Sequence, residues 1–274
     1  MQLGADVSRT AGAATLGIGA ALVGTPSIGP APFMHRPSGT ENPQAPLGHH
    51  YLDSTHVTHG VVTASARAAG LGVEASVFQG REPDERRTDL DLGRLDSHAL
   101  RLSWSRGAWT TQVSSAWLHR SERLSPYDAT KRTVSVAHAL ALGGGSLAWM
   151  AAAGQNREVF GHLESYLLEG TWRLPDRWAV YSRAELVDKD ILDAGFHPVG
   201  VGHKHRQSRV GAFTLGGTRD LLTHRWGTLG LGADVTGYRV PANLKDGYGS
   251  PVSFHAFVRY RARAGTPAMT HHQH

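Results

Sequence analysis

The stretch AWTTQVSSAWLHR (108–120) changes character at every residue, and that two-residue period constrains the fold more than any other feature of the chain. Trp109, Thr111, Val113, Ser115 and Trp117 fall on one side of an extended strand, and Thr110, Gln112, Ser114 and Ala116 on the other. The two tryptophans sit eight residues apart on the more apolar side. At ~3.3 Å per residue and a tilt of ~40°, they bracket ~20 Å along a barrel axis, close to the apolar band of an outer-membrane barrel between its aromatic girdles. The pattern recurs. Leu100, Leu102 and Trp104 oppose Arg101, Ser103 and Ser105; Trp178, Val180, Ala184 and Leu186 oppose Tyr181, Arg183 and Glu185; Val252, Phe254, Ala256, Val258 and Tyr260 oppose Ser253, His255, Arg259 and Arg261.

Alternation alone fits a soluble sandwich as well as a barrel, because both put a polar side on water. Strand length and loop rhythm decide. Thirteen candidate strands, near 2–10, 13–23, 56–68, 71–78, 97–105, 108–119, 131–142, 146–156, 163–173, 178–187, 208–220, 226–238 and 251–263, exceed the ~5–6 residues usual in globular sheets and match a tilted membrane crossing. Tight turns at Gly12, Ala69-Gly70, Arg106-Gly107, Gly143-Gly144-Gly145, Pro175-Asp176 and Thr223-His224 alternate with long loops at 24–55, 79–96, 120–130, 188–207 and 239–250. Short turns on one side and long loops on the other are the plan of bacterial outer-membrane barrels. The expectation is therefore an all-β fold, a transmembrane antiparallel up-and-down β-barrel of about 12–14 strands over residues 1–263, with a disordered tail at 264–274. A complete single-chain barrel has an even strand count with both ends periplasmic, so an odd count predicts an N-terminal truncation.

Composition closes off other classes. The most apolar run, Ala11 to Val23, is short and broken by glycine, which excludes helical spans. It is also a poor signal peptide, since Asp6 offsets Arg9 ahead of it. A mean hydropathy of −0.29 gives the chain an aqueous look that a barrel with a wet interior also has. There is no cysteine, hence no disulfide framework and no thiolate chemistry. The net charge of +5 is not organised for nucleic acid: Arg81, Arg86 and Arg87 are interleaved with Glu82, Asp84 and Glu85. No GxSxG, P-loop or GxGxxG after a strand is present, DLDLGRLD (89–96) fails calcium-loop spacing, and a rim catalytic set of Asp53, His50 and His56 lacks a serine or water-activating pair. No enzyme is expected.

Two stretches, PFMHRPSGTENPQAPLGHHYLDSTHVTHGVVT and VEASVFQGREPDERRTDLDLGRLDSHALRLSW, resemble an uncharacterised family of proteobacterial outer-membrane β-barrel proteins whose genes often lie near metal-resistance functions. The similarity covers most of the chain and is densest at 33–104. Family members carry an extra N-terminal portion, in keeping with the odd strand count. The family's histidine-bearing loop matches at His35, His49, His50 and His56, whereas His59 stands where an aromatic is common.

Seventeen histidines make the chain histidine-rich, and neutral imidazole suits copper, nickel and zinc. The candidate metal set is His35, His49, His50 and His56 with Asp53, holding a transition metal (Cu or Zn); the plain alternative is hydrogen-bonding surface groups in a polar vestibule. His203 and His205 form a second pair, and His271, His272 and His274 a tail cluster. Strand parity puts Asp6, Glu74, Arg101, Glu169, Arg183, Glu185, Asp234, His255, Arg259 and Arg261 in the lumen, where they either line an open pore or pair across it. The 24–55 loop is long enough to fold in. The expected partners are outer-membrane lipid and small solutes or metal ions, and the expected function is a porin-like channel, with a non-transporting metal-binding surface protein as the alternative.

Overall fold

The computed structural model describes residues 3–54, 58–81, 90–120, 127–159, 161–190, 192 and 207–262. They form one sheet of thirteen strands, each antiparallel to the next and all in sequence order. The strands are β1 (Leu3–Ala11), β2 (Ala14–Gly24), β3 (Thr58–Ala68), β4 (Leu71–Phe78), β5 (Ser97–Arg106), β6 (Trp109–Leu118), β7 (Ala129–Leu142), β8 (Gly145–Glu158), β9 (Gly161–Arg173), β10 (Trp178–Lys189), β11 (Ser208–His224), β12 (Gly227–Arg239) and β13 (Val252–Ala262). The up-and-down architecture expected from the alternation is the one adopted. β1 and β13 end the order and, the count being odd, run in the same direction. No helix among the described residues is long and apolar enough to cross a membrane.

Pairing runs nearly the full length of each strand: β8 and β9 stay in register from Ser146 opposite Arg173 to Glu158 opposite Gly161. That continuity satisfies the backbone N–H and C=O groups without water, which hydrocarbon demands. The tight turns keep it unbroken. Gly143 and Gly144 both have positive φ (60° and 76°), the backbone of a two-residue hairpin turn whose twist suits the flanking strands.

The strand ends differ most from the sequence reading at β11, which continues to His224 rather than stopping near residue 220. Its register against β12 shifts between Asp220 and Leu222. A bulge of this kind absorbs one extra residue and breaks the two-residue period, so Leu221-Leu222 resembles a loop in the sequence although the ladder runs on.

The two faces of the sheet separate as the alternation requires. Leu100, Leu102, Val113, Val134, Leu168, Phe213, Leu215, Leu231 and Val258 are exposed on the outside, while their sequence neighbours Ala99, Gln112, Ser114, Thr133, Leu167, Ala212 and Thr214 are buried inside. Such a continuous apolar exterior needs a lipid solvent. Six of the seven tryptophans, at 104, 109, 149, 172, 178 and 226, lie toward the tight-turn ends. Trp109 packs edge-on to Trp149 with ring centroids 5.8 Å apart, and Arg219 lies over Trp178 at 5.0 Å. The girdle is therefore built mainly at one edge, and the shortness of its turns marks that edge as periplasmic. Trp117 stands toward the opposite, long-loop edge.

A charge placed on the outer face tests this orientation. Leu102→Arg is expected to lower stability by about 2–4 kcal/mol in urea titrations of the vesicle-embedded barrel, whereas Leu102→Ile leaves the midpoint within experimental scatter; equal behaviour of the two would mean that Leu102 does not meet lipid.

Candidate functional site

Between β2 and β3 the chain does not loop outward. Residues 25–54 enter the barrel and lie against the inner faces of β4 to β13, which shows that the sheet curls around them. The entry is fixed by short polar contacts: the Ser27 amide donates to Ser76 Oγ at 2.9 Å, the Gly29 amide to Ser114 Oγ at 2.9 Å, and Arg101 Nη1 to the Gly29 carbonyl at 3.0 Å. Ile28 fills an apolar patch of Val61, Phe78, Ala99, Ala116 and Leu118. Such contacts need small polar side chains on the wall, and the inward positions of β4 to β6 supply them.

A short 3-10 turn at Phe33–His35 leads to Arg36, the centre of the first ionic anchor. Arg36 Nε donates to Glu169 Oε1 and its Nη1 to Asp53 Oδ2, both at 2.8 Å. Arg183 Nε reaches the other oxygen of Glu169 at 3.2 Å, and the Ser38 hydroxyl donates to Glu169 Oε1 at 2.9 Å. The residues of this triad are nearly sealed, with Arg36 4%, Glu169 2% and Arg183 2% exposed. An enclosed ion costs several kcal/mol to desolvate unless opposite charge and hydrogen bonds surround it, as they do here.

The second anchor is Glu41. One carboxylate oxygen accepts from Arg173 at 3.2 Å and from Arg261 at 3.1 Å, and the other accepts from Thr218 at 2.9 Å and from Arg259. Arg259 and Arg261 also share Asp220. A single loop residue thus ties together β9, β11 and β13. Beyond it, Gln44 Nε2 lies 2.7 Å from Asp234 Oδ1 and 2.7 Å from His255 Nδ1, and Arg183 Nη1 donates to the Gln44 carbonyl at 2.7 Å. The amides of Leu47 and Gly48 donate to Glu185.

The segment leaves through α1 (His49–Leu52), whose Leu52 is buried against Met150, Ala152 and Leu167, and whose Tyr51 packs on Leu163 and Val187. The wall has been pared to admit it: a Cβ at Gly154 would fall 2.2 Å from the Tyr51 carbonyl oxygen.

Of the ten residues that strand parity places in the lumen, nine make inward contacts: Glu74 pairs with Arg67 and Arg101, and Glu169, Arg183, Glu185, Asp234, His255, Arg259 and Arg261 meet the folded-in segment as described. Asp6, on β1, is not covered by the segment. The histidine set is dispersed. His35 borders a cavity beneath the segment and Asp53 is committed to Arg36. His49 Nδ1 lies 2.6 Å from the Pro46 carbonyl, and the His49 and His50 rings are 4.3 Å apart. His56, His203, His205 and residues 264–274 lie outside the described residues. Among the described residues no group of three or more His, Asp or Glu side chains is arranged to hold a metal ion. His59 is buried and its Nδ1 accepts from the Asp91 amide.

Strand parity does not reach Arg36, Ser38, Glu41 and Gln44, because they belong to no strand. The available signal was one of complementarity: RPSGTENPQ (36–44) offers one arginine and one glutamate to a wall already rich in both charges.

No protein-family model and no curated protein matches the chain. Solved structures do. A porin refined at 1.8 Å superposes over 93% of this chain and 80% of its own, with a TM-score of 0.50 at 12% identity. The anion-selective porin from Comamonas acidovorans covers 86% of this chain and 68% of its own (TM-score 0.49, 13% identity), and a loop-L8 deletion mutant of OmpT, an outer-membrane protein of Vibrio cholerae, covers 93% and 77% (TM-score 0.49, 9% identity). The chain has the fold of an outer-membrane β-barrel. At these identities the likeness is one of fold, and the lumen has to be interpreted from its own residues.

Removing the carboxylate of the first anchor takes the ion-pair partner from enclosed Arg183 and leaves enclosed Arg36 with Asp53 alone. Glu169→Ala is expected to cost about 3–5 kcal/mol and to speed amide hydrogen exchange across 25–54 while leaving the strand amides protected. Unchanged exchange in that segment would show that the triad does not hold it.

Proposed function

We propose that the chain is a channel for small water-soluble solutes across the bacterial outer membrane, with segment 25–54 narrowing its bore. The observation that carries this reading is the uneven cover of the lumen. The segment fills the space against β4 to β13, yet every residue of β1 is exposed, including the inward-facing Asp6 and Ser8, and the inward Gly17 and Gly19 of β2 are only half-buried. A plug serving stability alone would cover all sides. Here a water-accessible strip of small and hydroxyl-bearing residues runs beside an ionic wall, which suits passage of hydrated solutes. Coulombic fields across such a narrow, charged passage act over the ~8–10 Å of screening at physiological salt, so the fixed charges would bias which ions pass.

Single-channel recording in planar bilayers tests the reading. The wild-type barrel is expected to give discrete conductance steps, and Glu41→Gln to give larger or noisier ones, because Arg173, Arg259 and Arg261 lose the charge that draws them to the segment. Folded protein that inserts without any step would overturn it.

A transition-metal role is a second reading, supported by the resemblance to barrels encoded near metal-resistance genes and by one local feature. The adjacent imidazoles of His49 and His50 are accompanied by a backbone carbonyl at His49 Nδ1, the kind of outer contact that orients metal-binding histidines. Calorimetric titration with Cu(II) should then show a site lost in His49→Ala/His50→Ala; identical titrations of wild type and variant would remove this role.

A further inference from the structure

Beneath the folded-in segment, toward the tight-turn edge, lies a cavity of about 720 Å³ that the ionic anchors do not occupy. Its ceiling is residues 25–32 and its walls are the inner faces of β3 to β6. Three charged side chains meet there. Arg67 Nη2 donates to Glu74 Oε1 at 2.9 Å, and Arg101 Nε donates to Glu74 Oε2 at 2.7 Å. Two guanidiniums against one carboxylate leave a local charge of +1 (2 − 1). The two arginines are not equivalent. Arg101 is also tied to the Gly29 carbonyl, whereas Arg67 gives one nitrogen to Glu74 and keeps its side chain 65% exposed. All three guanidinium nitrogens of Arg101 are engaged, by Glu74 and the Gly29 carbonyl, so the larger unspent donor capacity of the cluster sits on Arg67.

Beside them the wall carries hydroxyl and amide groups, Ser103, Ser105, Thr110 and Gln112, while the ceiling is mostly apolar, with Pro26, Ile28, Pro30, Ala31 and Pro32. Gly72 preserves the space, since a Cβ there would fall 2.6 Å from Ser103 Oγ. A guanidinium favours a planar carboxylate, which it can meet with two parallel hydrogen bonds. Hydroxyl-lined walls favour a ligand carrying several hydroxyls, and a volume of this size is within the range of small-molecule sites.

We propose that this cavity is a binding subsite for small polyhydroxylated monocarboxylates, with Arg67 holding the carboxylate and Ser103, Ser105, Thr110 and Gln112 the hydroxyls. The subsite rests on the channel reading for its purpose, as a station on the periplasmic side of the bore. Glu74 competes with the ligand for Arg67, which makes binding a matter of exchange between an internal and an external carboxylate.

Gluconate and sorbitol differ at the group in question, one a carboxylate and the other an alcohol. Calorimetry on the detergent-solubilised full chain is expected to show gluconate binding at least about tenfold tighter than sorbitol, a difference of about 1.4 kcal/mol, and weakening as salt rises. Arg67→Gln should remove that preference while Arg209→Gln, on the outer face, keeps it. Glu74→Gln should strengthen gluconate binding by releasing Arg67, an effect opposite in sign to any general loss of structure. Equal affinities for gluconate and sorbitol, or a preference that survives Arg67→Gln, would overturn the assignment. Gluconate binding without single-channel currents would sink the channel reading alone, and currents without gluconate binding would sink the subsite alone.

Discussion

Hydrocarbon offers no partner to a backbone N–H or C=O, and the rest of this structure follows from that requirement. Strands of 8 to 17 residues pair along nearly their whole length. Once the backbone is extended and paired, side chains alternate, and every strand presents one face to lipid and one to an enclosed space. The apolar residues exposed on the outside are therefore the expected surface of this fold in its own solvent, and the polar residues inside are the cost of a crossing made from strands.

The enclosed space poses the second problem. Charged side chains project from the wall into it, and the segment between β2 and β3 brings Arg36 to Glu169, and Glu41 to Arg173, Arg259 and Arg261. The anchors differ in kind. The Arg36–Glu169–Arg183 triad is sealed, so it sets where the segment sits, and breaking it leaves stranded charges. The Glu41 cluster is partly wet, with Arg173 and Arg261 reaching water, so its ion pairs are individually weaker and more sensitive to salt. The segment thus lies against β4 to β13 and leaves the strip along β1 and β2 uncovered.

Much of this was legible before any coordinates. All thirteen strands, the alternation of short and long connections and the outward side of β5, β6, β10 and β13 follow from a two-residue period, because lipid on one face and water on the other impose it at nearly every position. Reading failed where a local event hid the period, as at the Asp220–Leu222 bulge in β11. It also stopped short at the segment. Its length and proline content permitted an inward path, but nothing local specifies that Arg36 should pair with Glu169, 133 positions away. Asp53 was grouped with neighbouring histidines by proximity in sequence, whereas the fold commits it to Arg36, since an enclosed carboxylate takes the nearest fixed cation. The histidines themselves carry no period that separates a ligand from a surface group.

The central claim is that residues 25–54 restrict the bore, and the fold offers a direct way to test it. Gly24 and Thr58 are register partners at the facing ends of β2 and β3. Residues 25–57 can accordingly be replaced by a two-residue Asn-Gly turn, the hairpin connection such strand ends favour, without disturbing the wall. Single-channel conductance of this barrel, compared with wild type at the same salt, is the decisive measurement. The account predicts a several-fold increase, and a properly folded barrel with the wild-type conductance would contradict it.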